Sequence, residues 1–106
     1  KSHPWDVAKG FDHSAPVSPL RPAAEARLSA GTGLSLAVNG TVRQQATLGE
    51  MVHDVANIIA ILSTLFELKA GNLIFTGTPA GVAALQRGDS FHAALEGIAT
   101  LDGRIV

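Results

Sequence analysis

The sequence predicts an α+β domain, and three observations carry the prediction. Leu34-Ser35-Leu36-Ala37-Val38 alternates with a period of two, Asn39-Gly40 supplies a hairpin turn, and Thr41-Val42-Arg43-Gln44-Gln45 returns. Met51, Val52, Val55, Ile58, Ile59, Leu62 and Leu65 then recur at threes and fours, which is one apolar stripe of a helix. Phe91-His92-Ala93-Ala94-Leu95-Glu96 alternates again as a strand. A chain of 106 residues holding both periods fits one domain with one core.

From the N-terminal end, Val7, Lys9 and Phe11 alternate with Ala8 and Gly10, the period of a short strand. Residues 14–33 carry Pro16, Pro19 and Pro22 among Ala and Ser, an irregular surface connection. After the hairpin, Thr47-Leu48-Gly49-Glu50 matches a capping box, so a helix is expected to start there and to lay its stripe on the sheet. Ala70-Gly71-Asn72 ends that unit. Leu73, Ile74 and Phe75 read as a buried strand that Gly77 and Pro79 must terminate. Gly88-Asp89 turns into the strand at Phe91, and residues 98–101 and 104–106 are expected to pair around Asp102-Gly103 as a last hairpin.

Composition narrows the function classes. With 46% hydrophobic and 16% charged residues the chain is globular, and its charged fraction lies below the usual quarter of residues. Such a surface suits cover by a dimer partner or by a further segment of the same protein. The net charge of −1 gives no electrostatic reason to expect nucleic acid or an anionic membrane. The longest strongly apolar stretch, residues 55–62, is far short of the ~20 residues that span a bilayer, so a soluble chain is expected. The absence of cysteine excludes disulfides and thiolate chemistry and is compatible with a reducing cytoplasm. The first residues lack the apolar core of a signal peptide and an initiator methionine, which fits a start inside a longer polypeptide.

Two places could present chemistry. Lys9, among apolar neighbours, either snorkels to water or anchors an anionic substrate. The turn Thr76-Gly77-Thr78-Pro79 is either an ordinary strand exit or a place where backbone groups and the Thr78 hydroxyl face a ligand. Asp12-His13-Ser14 holds the residue types of a hydrolase triad, but consecutive residues point to alternate faces and cannot converge. A triad from distant His53, Asp54 or Ser63 stays open, although Gly-x-Ser-x-Gly is missing. His3, His13, His53 and His92 are scattered singly, without metal-ligand spacing. The glycines at 77 and 81 match neither the dinucleotide fingerprint nor the phosphate loop.

Ala8-Lys9-Gly10-Phe11-Asp12-His13-Ser14-Ala15-Pro16-Val17, Val38-Asn39-Gly40-Thr41-Val42-Arg43-Gln44, Phe75-Thr76-Gly77-Thr78-Pro79-Ala80-Gly81-Val82, Gly88-Asp89 and Glu96-Gly97-Ile98 occur in an order that resembles the fumarylacetoacetate hydrolase family. The resemblance spans nearly the whole chain, and the first motif looks most like the bacterial fumarylpyruvate hydrolases. It implies a mixed, mostly antiparallel β-roll with one packed helix. The implied activity is hydrolysis of a carbon–carbon bond in an acylpyruvate, with Mg²⁺ or Mn²⁺ as cofactor, in a cytoplasmic homodimer. Lys9 matches the family lysine that stabilises the enolate. Thr78, with the amide near Gly77, matches the threonine that holds the substrate carboxylate. His13 stands where relatives carry a small hydroxyl residue, and a substrate or water contact is expected of it.

The departures matter as much. The family's carboxylate metal ligands and its water-activating His/Glu pair precede the lysine motif and have no counterpart in residues 1–106. Residues 1–106 therefore read as the C-terminal portion of a catalytic domain whose metal-ligand half is not present, and as inactive alone. Asn72 replaces a common aspartate, a change expected to act on turn geometry. Oxaloacetate decarboxylases, hydratases and isomerases of the same family share the enolate chemistry and form the alternative reading. A non-catalytic interaction fragment is the other.

Overall fold

The computed structural model describes residues 10–106. Four strands, β1 (Gly33–Val38), β2 (Thr41–Thr47), β3 (Ser90–Leu95) and β4 (Ala99–Arg104), form one sheet in the order β2-β1-β3-β4. All three ladders are antiparallel. With the helix α1 (Val55–Ser63) they make the α+β fold that the sequence predicts.

The β1–β2 hairpin forms where Asn39-Gly40 places it. Both turn residues have positive φ, 50° and 81°, which asparagine and glycine tolerate and which matches the twist of the flanking strands. Asn39 also ties the turn to β3: its Nδ2 donates to Asp89 Oδ1 at 2.9 Å, and the Ser90 amide donates to Asn39 Oδ1 at 3.0 Å.

The ladder between β1 and β2 contains one irregularity. Ala37 pairs with Val42 and Leu36 with Gln44, so Arg43 is an extra, bulged residue. Residues opposite one another share a face, so Leu34, Leu36 and Val38 stand with Gln44 and Ala46 on one side and with Phe91, Ala93 and Leu95 on the other. This is the apolar face, and Val38, 2% exposed, is its most buried side chain.

The capping box forms, but it starts a shorter element than expected. The Thr47 amide donates to Glu50 Oε2 at 2.6 Å and opens a single 3-10 turn, Leu48–Glu50. Met51 then returns to extended backbone, and α1 starts anew at Asp54, whose Oδ1 accepts the Asn57 amide at 2.8 Å. The stripe from Met51 to Leu65 is thus divided between two elements. At the other end Ser63 Oγ and Thr64 Oγ1 donate to the Ala60 and Ile61 carbonyls, occupying groups that would continue the helix. Ile58 and Leu62 are half-buried, whereas Val55, Ile59 and Leu65 stay 45%, 44% and 70% exposed, so the stripe covers less of the sheet than its period implies.

Two further expectations are corrected. Residues 73–75 do not form a strand: no ladder pairs them with a described residue, and Leu73 and Phe75 are exposed while Ile74 is half-buried. A short apolar run makes a strand only where a neighbour offers its backbone groups. Asp102-Gly103 is not a hairpin turn either. Both lie inside β4, opposite His92 and Phe91, and the turn is made by residues 96–98, with Gly97 at φ 72°. The Phe91 ring occupies the space that a Cβ at Gly103 would need, so this glycine serves cross-strand packing. Of the strand expected around Lys9, residues 10 and 11 carry none and the rest lies outside the described residues.

Candidate functional site

Residues 76–82 cross the apolar side of β2, and two contacts hold them there. Gly81 has φ 105° and packs so closely that a Cβ would meet the Arg43 carbonyl oxygen, with Gln44 Cγ at 3.1 Å from it. Only glycine satisfies both the backbone angle and the approach. Beside it, Gln44 Nε2 lies 2.8 Å from Thr78 Oγ1 and 2.8 Å from the Pro79 carbonyl oxygen.

The second contact fixes donors and acceptors. A carbonyl oxygen only accepts, so the Gln44 atom facing Pro79 is the amide nitrogen, and its other hydrogen goes to Thr78. Thr78 Oγ1 therefore accepts from Gln44, which leaves its own hydrogen to donate elsewhere. Gly77, at φ 99°, has nothing within 4 Å of where a Cβ would stand. The amides of Gly77 and Thr78 make no hydrogen bond with any described residue. A hydroxyl hydrogen and two amides without a partner among the described residues are donors of the kind that suits an anion.

This turn borders a cavity of about 420 Å³. Leu34, Ala46, Met51 and Ile58 give it an apolar wall opposite residues 76–80. Glu50 and His53 also line it, and Glu50 is committed to the Thr47 amide. A larger cavity of about 590 Å³ opens around Gly31, Ser35 and Glu96, away from Thr78. Glu50 lines both cavities and Glu96 adds a second carboxylate to the larger one, whereas the smaller one is lined by the donor-bearing turn at Gly77 and Thr78.

The structure brings Gly77 and Thr78 together at this cavity. His13 lies in an exposed turn at φ 61° and is not among the lining residues; Lys9 lies outside the described residues. Asn72 has a turn role: its Oδ1 accepts the Lys69 amide at 2.8 Å and its amide donates to Lys69 O at 3.1 Å. Gln44 is the residue that sequence reasoning passed over. Its signal was a polar side chain on a face otherwise built from Leu, Val, Ala and Phe, but the bulge that puts it there is invisible in the pattern.

The family model for the fumarylacetoacetate (FAA) hydrolase C-terminal domain matches residues 1–106. The chain belongs to this family. Among relatives, an oxaloacetate tautomerase, YcgM, of Escherichia coli is 47% identical over 95 residues, which is 89% of this chain and 43% of the relative. A fumarylpyruvate hydrolase of a Ralstonia species is 37% identical over 101 residues, 95% of this chain and 52% of the relative. The crystal structure of a Pseudomonas aeruginosa fumarylpyruvate hydrolase in complex with Mn²⁺ and pyruvate superposes with a TM-score of 0.92 at 41% identity, covering 97% of this chain and 44% of that one. The chain thus spans about half the length of these fumarylacetoacetate hydrolase relatives or less.

Structural neighbours in the family hold a divalent metal, Mn²⁺. Among the described residues no three His, Cys, Asp or Glu side chains stand together where they could hold a metal ion. The described residues therefore do not make a metal centre by themselves. No helix among the described residues is long and apolar enough to cross a membrane.

Proposed function

We propose that residues 1–106 are the C-terminal portion of a longer, metal-dependent enzyme that hydrolyses a carbon–carbon bond in an acylpyruvate such as fumarylpyruvate. In this reading the chain supplies the substrate side of the site, and carboxylates elsewhere in the protein hold Mg²⁺ or Mn²⁺. The observation that carries it is the turn at Gly77-Thr78, which lines a cavity with apolar residues and whose Thr78 hydroxyl accepts from Gln44, leaving its hydrogen for a ligand. A carboxylate accepts from the turn, and the acyl chain lies toward Leu34 and Ile58.

The reaction adds water across the bond between the distal acyl carbon and the methylene of the pyruvate unit. The oxygen of water joins the acyl carbon, the bonding pair passes to the methylene as an enolate, and a proton completes pyruvate. Lys9 balances the enolate charge, and Thr78 with the Gly77 amide holds the carboxylate end in place. His13 contributes a substrate or water contact. The enzyme works as a cytoplasmic homodimer, and this portion alone is inactive.

A second reading is isomerisation of oxaloacetate between its keto and enol forms, which the 47% identity to a tautomerase favours. It needs the same carboxylate turn and the same stabilised enolate, but no added water. The full-length protein with Mn²⁺ separates them, using fumarylpyruvate and oxaloacetate in turn. Release of equal amounts of fumarate and pyruvate supports hydrolysis. Enol loss from oxaloacetate without fumarylpyruvate cleavage selects tautomerisation, and neither reaction would overturn both.

A further inference from the structure

We propose that Gln44 is the positioning residue of the substrate site: it forces the Thr78 hydroxyl to donate, and the bulge at Arg43 is what brings it there. The inference rests on the carboxylate role proposed for Thr78 and adds the group that sets its polarity.

Three observations converge on it. Gln44 spends both hydrogens of one amide nitrogen on the turn, 2.8 Å to Thr78 Oγ1 and 2.8 Å to Pro79 O. It is half-buried on the apolar face, where the Leu34, Leu36 and Val38 side chains offer it no alternative partner. The ladder delivers it by an irregularity: continuing from Ala37 opposite Val42 without the extra residue would set Arg43 opposite Leu36 and turn Gln44 to the other face.

The chemical consequence is directional. A free threonine hydroxyl rotates and either donates or accepts; one that already accepts from a fixed amide keeps its hydrogen for the ligand. An anion is the ligand that gains most from this, since a carboxylate accepts and never donates. The Pro79 carbonyl, which would otherwise repel an approaching anion or capture the Thr78 hydrogen, is occupied by the same amide. Gln44 touches no substrate in this arrangement and acts only through Thr78 and Pro79.

The test uses the full-length protein with Mn²⁺, the Kd of pyruvate as probe, and kcat with fumarylpyruvate. Gln44→Met keeps length without a donor and should weaken pyruvate about tenfold while kcat changes little, in the range for hydrogen bonds to charged groups. Gln44→Glu, of the same shape, reverses the polarity and adds a like charge, so it should weaken pyruvate further, by about a hundredfold. In a Thr78→Val background, Gln44→Met should add nothing.

An undiminished pyruvate affinity in Gln44→Met, or its full effect persisting in Thr78→Val, overturns the positioning role while leaving the carboxylate turn standing. An unchanged affinity in Thr78→Val alone overturns the turn's role and this inference with it. If Gln44→Met does not fold, Gln44→Glu carries the comparison, and equal affinity to the parent is then the contradicting result.

Discussion

Gln44 Nε2 and Thr78 Oγ1 stand 2.8 Å apart although 34 positions separate them in the chain. The contact joins the edge strand β2 to the turn that carries the candidate site, so the register of one hairpin decides the geometry of a distant loop. The bulge at Arg43 and the close approach of Gly81 to that same residue belong to the same device.

Gly81→Ala should detach the loop from β2. Its φ of 105° is strained for alanine, and the new Cβ would meet the Arg43 carbonyl. A loss of about 1–3 kcal/mol is expected, measured by urea denaturation of the full-length protein. Pyruvate affinity should fall with it, and wild-type stability and affinity would contradict the docking described.

Asp54→Ala removes the cap that accepts the Asn57 amide. It should destabilise by about 1 kcal/mol, with Asp54→Asn recovering most of the loss. If α1 instead began at the capping box of Thr47, the substitution would leave the denaturation midpoint where it was.

How far the sequence disclosed these features depends on the range of the interaction involved. The Asn39-Gly40 hairpin and the Thr47-Glu50 capping box were legible because both are completed within a few residues. The capping box did not reveal that only a 3-10 turn follows, because the second cap at Asp54 competes for the same stripe. Asp102-Gly103 was misleading for a longer-range reason: the glycine answers the Phe91 ring on the neighbouring strand. Thr78 could be singled out from its turn. Its partner Gln44 could not, since that requires knowing that Arg43 is bulged and that residues 76–82 cross β2.

Asp89 makes stability depend on pH in one direction. The Gln86 amide, then the Asn39 side-chain amide, hold its carboxyl below the usual carboxylate value. A depressed folded value means that the stabilisation is present above the unfolded value of about 4 and is lost as pH falls through the folded one. Asp89→Asn should therefore be less stable than the parent at pH 7, and the gap should close in thermal melts below about pH 4. A gap that does not depend on pH would contradict the assignment.

Lys9→Met in the full-length protein should lower kcat by about 10²–10³ with the denaturation midpoint unchanged, the size expected for losing a charge that acts on the transition state. Unaltered turnover would remove Lys9 from the site.

The most direct measurement is a crystal structure of the full-length protein with Mn²⁺ and pyruvate. A carboxylate oxygen of pyruvate is expected about 2.7–3.1 Å from Thr78 Oγ1 and from an amide at Gly77 or Thr78, with Gln44 still bonded to the far side of the hydroxyl. Ordered pyruvate whose carboxylate lies away from this turn would contradict the reading of Thr78 as its anchor.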